Sequence, residues 1–330
     1  MKSNEIIELL IKNKKIIKDT KILCIGDIML DHYIYGKVER MSPEAPIPIL
    51  LNESEDYEVG GVGNVAKNIT SFGAYVSLVI LTGNDDASKK IKKLIQKDKK
   101  ISLIQIKNTN FETPVKTRYI NRLKQIIRVD QEKTNFSFSK ELKVKTISIL
   151  KKLIKKNDLL IISDYNKGFL DKILIKKIIK VANENKKIVI VDPKKDDFSI
   201  YSNADIITPN FKEITEASKH KILDQNKLVL FSRELINKNK INNILITRSE
   251  KGMLLVNKNY EKKINAISRK AFDVTGAGDT VIAILSLMIA AKFDIKLSAI
   301  ISNYAASIVI DYRGTAFTTF EKLINKIKQK

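Results

Sequence analysis

Short apolar runs, each closed by polar or turn-forming residues, recur along most of the chain, and stretches with helical spacing of apolar and charged residues separate them. Buried strands that alternate with amphipathic helices predict an α/β fold with a mostly parallel sheet covered on both faces. Functional residues should then gather at the carboxyl ends of the strands. The apolar runs are 21–30, 75–83, 158–164, 186–193, 204–210 and 242–249, and the helical stretches are 64–72, 85–99, 139–156, 171–185, 211–219 and 226–239.

Two segments, 32–59 and 111–131, break this alternation because they have strand-like patterns with no helix between the strands. From the pattern alone they are hairpins at the edge of the sheet. No linker or repeat divides the chain further. We therefore predict a helical extension over 1–19 and one domain over 20–330.

The chain is strongly basic, with 60 Lys and Arg residues against 37 acidic ones and a formal charge of +23 over 330 residues. The lysines are scattered along the whole chain and interleave with isoleucine at helical spacing, as on solvated helix faces. We therefore expect no specific nucleic-acid partner. A basic surface would still attract anionic substrates.

The cysteine and histidine content excludes further classes. Cys24 has no second cysteine with which to form an internal disulfide, and His32 and His220 are too few for a Cys/His zinc site. The N-terminus lacks the apolar core of a signal peptide, and the longest apolar stretch, 281–291, is too short to cross a bilayer. We expect a protein of the reducing cytoplasm with no membrane partner.

The most informative segment is AFDVTGAGDTVIA, residues 271–283, in which three small residues stand between two aspartates and an apolar run follows. The pattern predicts a tight turn that opens into a buried helix. Free amides at Gly276, Ala277 and Gly278 would form an anion site, with Asp279 beside it. An anion site next to a carboxylate base suits phosphoryl transfer to a hydroxyl. The structural alternative is that Asp merely meets the helix dipole and Gly makes the turn.

A second glycine-rich stretch, VGGVGNVAKNI, contains Gly60, Gly61 and Asn64. Glycines allow close approach of the backbone to a ligand, and the Asn64 amide can both donate and accept hydrogen bonds to hydroxyls. The stretch also matches the dinucleotide pattern G-x-G-x-x-A at 61–66, with an acidic residue at 85. The preceding SEDYEV is a poor buried strand, so we favour a sugar over a dinucleotide.

The motif D-V-T-G-A-G-D-T resembles the C-terminal signature D-T-x-G-A-G-D of the ribokinase-like (PfkB) sugar kinases. The resemblance implies that Asp279 is the catalytic base and that the backbone of 276–278 stabilises charge on the transferred phosphate. It also implies a ribokinase-like fold in which 32–59 and 111–131 form a β-lid over the sugar.

The same resemblance assigns residues to the sugar. Gly60, Gly61 and Asn64 match the N-terminal signature at a helix start that faces the sugar. Asp27 and Asp31, in the G-D-x-x-x-D pattern after the first strand, are implied to accept hydrogen bonds from sugar hydroxyls. Each of these two aspartates could otherwise cap a turn.

ATP is the implied co-substrate, and Mg²⁺ the implied cofactor. Asn210 and Glu213 form an N-x-x-E element that the resemblance puts near the nucleotide phosphates, where Glu213 organises Mg²⁺ through water. The other ATP candidates are Lys194 (which could instead face solvent), Thr247, Gly252 and, for the adenine pocket, Asn303. The chain contains no G-x-x-x-x-G-K-[ST], which excludes P-loop chemistry.

A longer series of motifs runs in order across nearly all of 20–317: GDIMLDHYIYGKVERMSPEAPIPIL, GNVAKNI, KTRYINR with IIRVD, SDYNKG, DPK, TPN, TRSEKGM and DVTGAGDTVIA. The series resembles one branch of the family, the D-glycero-β-D-manno-heptose-7-phosphate kinases of lipopolysaccharide core synthesis. It implies ATP-dependent phosphorylation of O1 of a sugar that already carries a 7-phosphate.

A sugar phosphate requires cations, and the second lid segment offers Lys116, Arg118, Arg122 and Lys124. A single extended strand would put all four on one face, and the arginine forks suit phosphate. Otherwise the residues form a basic edge that deters aggregation. Where that branch has R-N-Q-Q, this chain has Leu123 in the second position, which removes the contact expected there.

Many relatives in that branch also carry a nucleotidyltransferase domain with an H-x-G-H-type motif, which two distant histidines cannot form. We therefore expect a stand-alone kinase, a homodimer formed through the lid, and a separate nucleotidyltransferase that acts downstream. The alternatives are another PfkB sugar or nucleoside kinase, an NAD-dependent oxidoreductase built on 61–66, and a basic nucleic-acid-binding protein.

Overall fold

A computed structural model describes residues 2–122, 124–133, 138–218, 224–268, 272–312 and 314–329, and Leu123 and His220 lie outside them. Strands and helices are numbered in chain order. The large sheet contains β1 (Lys21–Gly26), β4 (Tyr75–Thr82), β5 (Ile101–Lys107), β8 (Leu159–Ser163), β9 (Ile188–Asp192), β10 (Ile206–Ile207), β11 (Asn243–Thr247), β12 (Met253–Asn257) and β13 (Glu261–Ile264).

A second, small sheet contains β2 (Ile28–Met41), β3 (Pro48–Gly61), β6 (Val115–Asn121) and β7 (Lys124–Gln131). The helices are α1 (Ser3–Lys12), α2 (Lys14–Asp19), α3 (Val62–Thr70), α4 (Asp86–Gln96), α5 (Lys140–Lys156), α6 (Lys172–Glu184), α7 (Phe211–Ser218), α8 (Gln225–Asn239), α9 (Ala277–Ala290), α10 (Ile295–Val309) and α11 (Phe320–Lys328).

The large sheet has the order β13-β12-β11-β10-β9-β8-β1-β4-β5. All neighbours from β11 to β5 are parallel, and β12 and β13 add two antiparallel strands at one end. The predicted α/β class is confirmed. The apolar runs correctly located six of these strands. They missed β5 and β13, which are edge strands with charged residues, and the neighbouring β12.

Helices cover both faces of the large sheet, as the alternating pattern predicts. Apolar residues of α1 to α4 and of α9 to α11 pack in one core, and those of α5 to α8 pack in the other. The central helix is α9, in which every residue from 279 to 288 is buried. No helix in the described ranges is long and apolar enough to cross a membrane.

The small sheet has the order β3-β2-β6-β7 and unites the two segments that break the strand–helix alternation. The chain leaves the large sheet at Asp27 and returns at Gly61, where the Val62 amide donates to the Asp27 carbonyl oxygen at 3.0 Å. Gly61 has a φ of 61°, and a Cβ there would lie 2.5 Å from that same oxygen. A glycine is therefore required where the small sheet joins the large one.

The prediction that Lys116, Arg118, Arg122 and Lys124 share one face of a single strand is wrong. Lys116 and Arg118 lie on the same face of β6, but the chain turns at Arg122, whose φ is 53°, and Lys124 begins the antiparallel strand β7. The pattern did not reveal the turn because Arg122 adopts a left-handed conformation that glycine or asparagine usually signals.

Candidate active site

Polar residues converge where five neighbouring parallel strands end, at the carboxyl edge of the large sheet. They belong to β1, β8, β9, β10 and β11, so residues far apart in sequence meet at one place. The residues at or just after these strand ends are Asp27, Tyr165, Asp192, Asn210 and Thr247.

The N-terminus of α9 lies at this edge. Gly276 caps the helix with a φ of 76°, and a Cβ there would approach the Asn64 side-chain nitrogen to 2.6 Å. Gly278 differs, since a Cβ there would meet nothing within 4 Å. The first turn of α9, which begins at Ala277, is therefore fixed by a close contact at Gly276 and open at Gly278. An open helix N-terminus suits an approaching anion.

Asp279 is buried at the start of α9, with 4% of its surface exposed. Its Oδ2 accepts a hydrogen bond from Asn64 Nδ2 at 2.9 Å, and its Oδ1 accepts one from the Tyr165 hydroxyl at 2.6 Å. Burial raises the pKa of Asp279 to about 6, although both hydrogen bonds act in the opposite direction. The group is thus mostly ionised at neutral pH and can accept a proton.

Asn64 lies on α3 and is fully buried. Besides its contact with Asp279, its side-chain oxygen accepts a hydrogen bond from Asn68 at 3.3 Å, and Asn68 in turn accepts one from Thr280 at 3.2 Å. Sequence reasoning assigned Asn64 to sugar hydroxyls. In the structure its amide is used to hold Asp279 and to join α3 to α9.

Asp27 is also buried. Its Oδ2 accepts hydrogen bonds from the backbone amides of Tyr165 at 2.8 Å and Lys167 at 3.1 Å, while its Oδ1 has no partner among the described residues. Burial, together with the nearby Asp164 carboxylate, raises the pKa of Asp27 to about 6. One oxygen of Asp27 is therefore committed to the protein and the other is available as an acceptor.

Asp31 forms a buried ion pair with Arg118, whose Nη1 lies 2.6 Å from Asp31 Oδ1. Gly60 packs against this pair, because a Cβ at Gly60 would lie 2.3 Å from Asp31 Oδ2. The sequence assigned Asp31 to sugar and Arg118 to phosphate. The structure brings the two together on the same face of the small sheet, where each partly neutralises the other.

A cavity of about 170 Å³ opens beside Gly278. The predicted residues Lys194, Asn210, Glu213 and Thr247 line it, together with Tyr165 and Asp192, which carried no prediction. Lys194 Nζ lies 3.0 Å from Glu213 Oε1, and the Asn210 backbone amide donates to Glu213 Oε2 at 2.9 Å. The N-x-x-E element thus faces the N-terminus of α9 across a small polar space.

A larger cavity of about 680 Å³ lies beyond the end of β11. Arg248 lines it, and its Nε and Nη2 are buried without a hydrogen-bond partner among the described residues. Asn303 lies behind the wall of this cavity, where its side chain donates to the backbone oxygen of the lining residue Asn265 at 2.8 Å. Gly252 closes the turn before β12 with a φ of 75°.

The cations on the inner face of the small sheet differ from those predicted. Lys116 is half-buried and makes no ion pair with a described residue; burial and the neighbouring Lys167 lower the pKa of its ammonium group. Arg128 of β7 faces Arg118 across the strand pair, and Lys167 forms a 2.6 Å ion pair with Glu132. Sequence reasoning missed Arg128 and Lys167 because neither lies on the strand that carries Lys116.

The dinucleotide alternative is not supported by this geometry. The strand before 61–66 is β3 of the small sheet rather than a strand of the parallel sheet, as the dinucleotide fold requires. Asp85 caps α4, where its side chain accepts a hydrogen bond from the Ser88 amide at 2.8 Å.

The fold and this constellation define a sugar kinase with a buried carboxylate at an open helix N-terminus. Residues 19–322 match the model of the pfkB family of carbohydrate kinases, and the chain belongs to that family. It is therefore a phosphotransferase that acts on carbohydrate hydroxyls.

Curated relatives extend along most of the chain. The bifunctional protein HldE of Paramagnetospirillum magneticum is 35% identical over 316 residues, which are 96% of this chain and 64% of that protein. The bifunctional protein HldE of Campylobacter concisus is 39% identical over 315 residues, 93% of this chain and 65% of the relative. The chain thus spans about two thirds of the length of these relatives.

Solved structures show the same fold at low sequence identity. Phosphofructokinase-2 from Escherichia coli in complex with potassium superposes with a TM-score of 0.76 at 16% identity, covering 94% of this chain and 98% of that one. Ribokinase from Thermotoga maritima gives a TM-score of 0.72 at 19% identity, covering 94% and 99%. The ribokinase-like fold expected from the sequence is confirmed.

The two glycines of the α9 N-terminus give a matched test of the anion site. Gly278→Ala should leave the free energy of unfolding unchanged but lower turnover about tenfold or more, because its methyl group enters the cavity where phosphate would bind. Gly276→Ala should lower the free energy of unfolding by about 1–3 kcal/mol, because of its positive φ and its contact with Asn64. Chemical denaturation and steady-state assays measure both; normal turnover in Gly278→Ala would contradict the anion site.

Proposed function

We propose that the chain transfers the γ-phosphoryl group of ATP to O1 of D-glycero-β-D-manno-heptose 7-phosphate and so forms the 1,7-bisphosphate. The observation that carries the transfer is the position of the buried Asp279 beside the open amides of the α9 N-terminus. Support for the heptose comes from the ordered series of motifs along 20–317 and from similarity to the HldE proteins. The runner-up is another sugar or nucleoside kinase of the same family.

In the proposed mechanism the O1 oxygen attacks the γ-phosphorus while Asp279 takes the hydroxyl proton. A bond forms between O1 and phosphorus, the bond from phosphorus to the bridging oxygen breaks, and ADP leaves with that oxygen. The backbone amides at the start of α9 stabilise the charge that builds up on the phosphoryl oxygens. Asp27, with one acceptor oxygen unpartnered, is placed to receive a hydrogen bond from another sugar hydroxyl.

The donor set beside the small cavity fits Mg²⁺, which prefers carboxylate oxygens and keeps several waters. Glu213 and Asp192 both line the cavity. Burial raises the pKa of Asp192 well above its usual range, and repulsion from the Glu213 and Asp279 carboxylates raises it further. A bound cation would reduce the repulsion among these three carboxylates. When bound with ATP, Mg²⁺ would neutralise charge on the phosphates. Glu213 would hold it through water, with Asp192 as a further ligand.

The larger cavity is the proposed nucleoside site. Thr247, at the end of β11, lines the small cavity, and the next residue, Arg248, lines the large one. A nucleotide that fills both cavities must pass this strand end. The two unpartnered nitrogens of Arg248 form a planar fork that suits phosphate oxygens, so we assign Arg248 to the α- or β-phosphate.

The 7-phosphate is assigned to the inner face of the small sheet, which acts as the lid. Lys116 provides a half-buried ammonium group without an ion-pair partner among the described residues; the nearby Lys167 and Arg128 are paired with Glu132 and Asp130. A phosphate would compensate Lys116, whose pKa burial has lowered. Arg118 is already paired with Asp31 and would orient that carboxylate rather than bind phosphate alone.

The outer face of the small sheet supports the proposed homodimer. Ile127 and Val129 of β7 are 54% and 48% exposed, and their partners in β6 are Tyr119 and Thr117. An apolar strand exposed at a sheet edge is a liability unless another surface covers it. We propose that the lid of a second copy covers this face.

A separate nucleotidyltransferase acting downstream stays a prediction.

The substrate assignment predicts selective consumption of ATP with the heptose 7-phosphate and Mg²⁺, compared with unphosphorylated heptose, ribose, fructose 6-phosphate and sedoheptulose 7-phosphate. Lys116→Ala should raise the KM for the heptose phosphate about tenfold or more, because a desolvated charge pair is lost. Lys124→Ala, which removes an exposed lysine of β7, is the matched control and should leave KM unchanged. Equal turnover of another sugar would retain the kinase and overturn the heptose assignment.

The nucleotide assignment predicts that Arg248→Ala raises the KM for ATP about tenfold or more while the KM for sugar stays constant. The free energy of unfolding should fall by no more than about 1 kcal/mol, because the half-buried guanidinium makes one hydrogen bond, from Nη1 to Gln225 at 3.2 Å, while its Nε and Nη2 have no partner among the described residues. Arg233→Ala removes an arginine of α8 that is paired with Glu261 and does not line this cavity, and it serves as the control. An unchanged KM for ATP in Arg248→Ala would exclude the proposed phosphate contact.

The dimer assignment predicts a particle of twice the chain mass in light scattering at micromolar concentration. Replacing both Ile127 and Val129 by lysine should yield a monomer, since two charges would be buried in the interface. A wild-type monomer at all concentrations tested would reject the interface.

A further inference from the structure

The turn after β8, which lies in the motif SDYNKG, carries a contact to the proposed base, Asp279. Tyr165 is the second residue after the end of β8. The next residue, Asn166, has a φ of 56°, so the chain turns sharply there. The backbone amide of Tyr165 donates to Asp27 Oδ2, and its hydroxyl donates to Asp279 Oδ1 at 2.6 Å. One residue therefore contacts two buried carboxylates of the proposed active site, Asp27 and Asp279.

Two neutral donors from different elements of the fold fix the Asp279 carboxylate. Asn64 of α3 donates to one oxygen and Tyr165 to the other. With both oxygens held, the carboxylate plane cannot rotate, and the direction in which its remaining lone pairs point is set. A proton acceptor must lie within hydrogen-bond reach of the hydroxyl in one orientation, so this restraint affects the chemistry directly.

We propose that Tyr165 is a positioning residue, which holds the Asp279 carboxylate in the orientation that accepts the substrate hydroxyl proton. The inference rests on the proposed function only in taking Asp279 as the base. The phenol is a constant donor, because burial and the adjacent Asp279 carboxylate raise the pKa of Tyr165 well above its usual range. It keeps its own proton throughout the cycle, and the proton taken from the substrate resides on Asp279.

The groups that face Asp279 determine its titration. They are the neutral donors Asn64 and Tyr165, and the carboxylates Asp31 of β2 and Asp192 of β9. Of these, the Tyr165 hydroxyl stabilises the ionised form of Asp279, so its loss should raise the pKa of Asp279 above about 6. The base would then become protonated at a higher pH than in the wild type. As the pH is lowered, the variant would therefore lose turnover at a higher pH than the wild type.

The test is Tyr165→Phe, which removes the hydroxyl but keeps the ring and the backbone amide on Asp27. The acidic limb of the kcat/KM profile between pH 5 and 9 should move upward by about one unit, since a hydrogen bond to a charged group is worth about that much. At pH 7 kcat should fall about tenfold, with KM for both substrates little changed. The matched control is Tyr201→Phe, because the Tyr201 hydroxyl donates to the Asp164 carboxylate at 2.7 Å, away from the base.

The outcomes separate the two proposals. An unmoved acidic limb in Tyr165→Phe, or an equal shift in Tyr201→Phe, would overturn the positioning role. Wild-type protein without turnover on any sugar would reject the proposed function, and carbon-13 NMR titration of the aspartate carboxyls would then test Tyr165 alone. There the signal that disappears in Asp279→Asn should titrate higher in Tyr165→Phe, and an unchanged titration would contradict the inference.

A further measurement covers failure of Tyr165→Phe to fold. The wild-type phenol proton, held between Tyr165 and Asp279, should give a downfield NMR resonance that moves in the folded variant Asp279→Asn. A resonance that does not respond to Asp279→Asn would overturn the contact.

Discussion

Burial of the Asp279 carboxylate is the constraint on which the rest of the site depends. A charged group removed from water is costly unless donors replace the solvent, and here the donors come from α3 and from the turn after β8. This requirement ties two separate parts of the chain to the start of α9. It also explains why a glycine caps α9, since a side chain at Gly276 would displace the Asn64 amide.

The small sheet is connected to the same point through several contacts. Gly61 allows the chain to pass next to the Asp27 carbonyl, and Glu58 of β3 accepts hydrogen bonds from the Thr315 amide and hydroxyl. The adjacent Gly314 amide donates to Asp273 at 3.0 Å, just before the turn into α9. These hydrogen bonds join the small sheet to the turn at which α9 starts.

Local patterns were sufficient for much of the fold and for the centre of the site. Periodicity located the parallel strands, and the small residues at 276–278 identified the α9 N-terminus because a turn and a buried helix are both local features. Tyr165 and Asn64 could not be assigned in this way, since their contacts with Asp279 span 114 and 215 residues. The predicted position of Arg122 was wrong for another reason. Its left-handed conformation has no sequence signal, so the four cations were placed on one strand.

The most direct test of the central claim, that Asp279 is a buried base beside a phosphoryl-binding helix N-terminus, is single-turnover phosphoryl transfer by Asp279→Asn alongside calorimetric binding of ATP. The asparagine keeps the size of the side chain but cannot take a proton. We expect unchanged ATP affinity and thermal stability with transfer slowed about a hundredfold or more. Transfer at close to the wild-type rate would contradict it, because another group would then have to accept the hydroxyl proton.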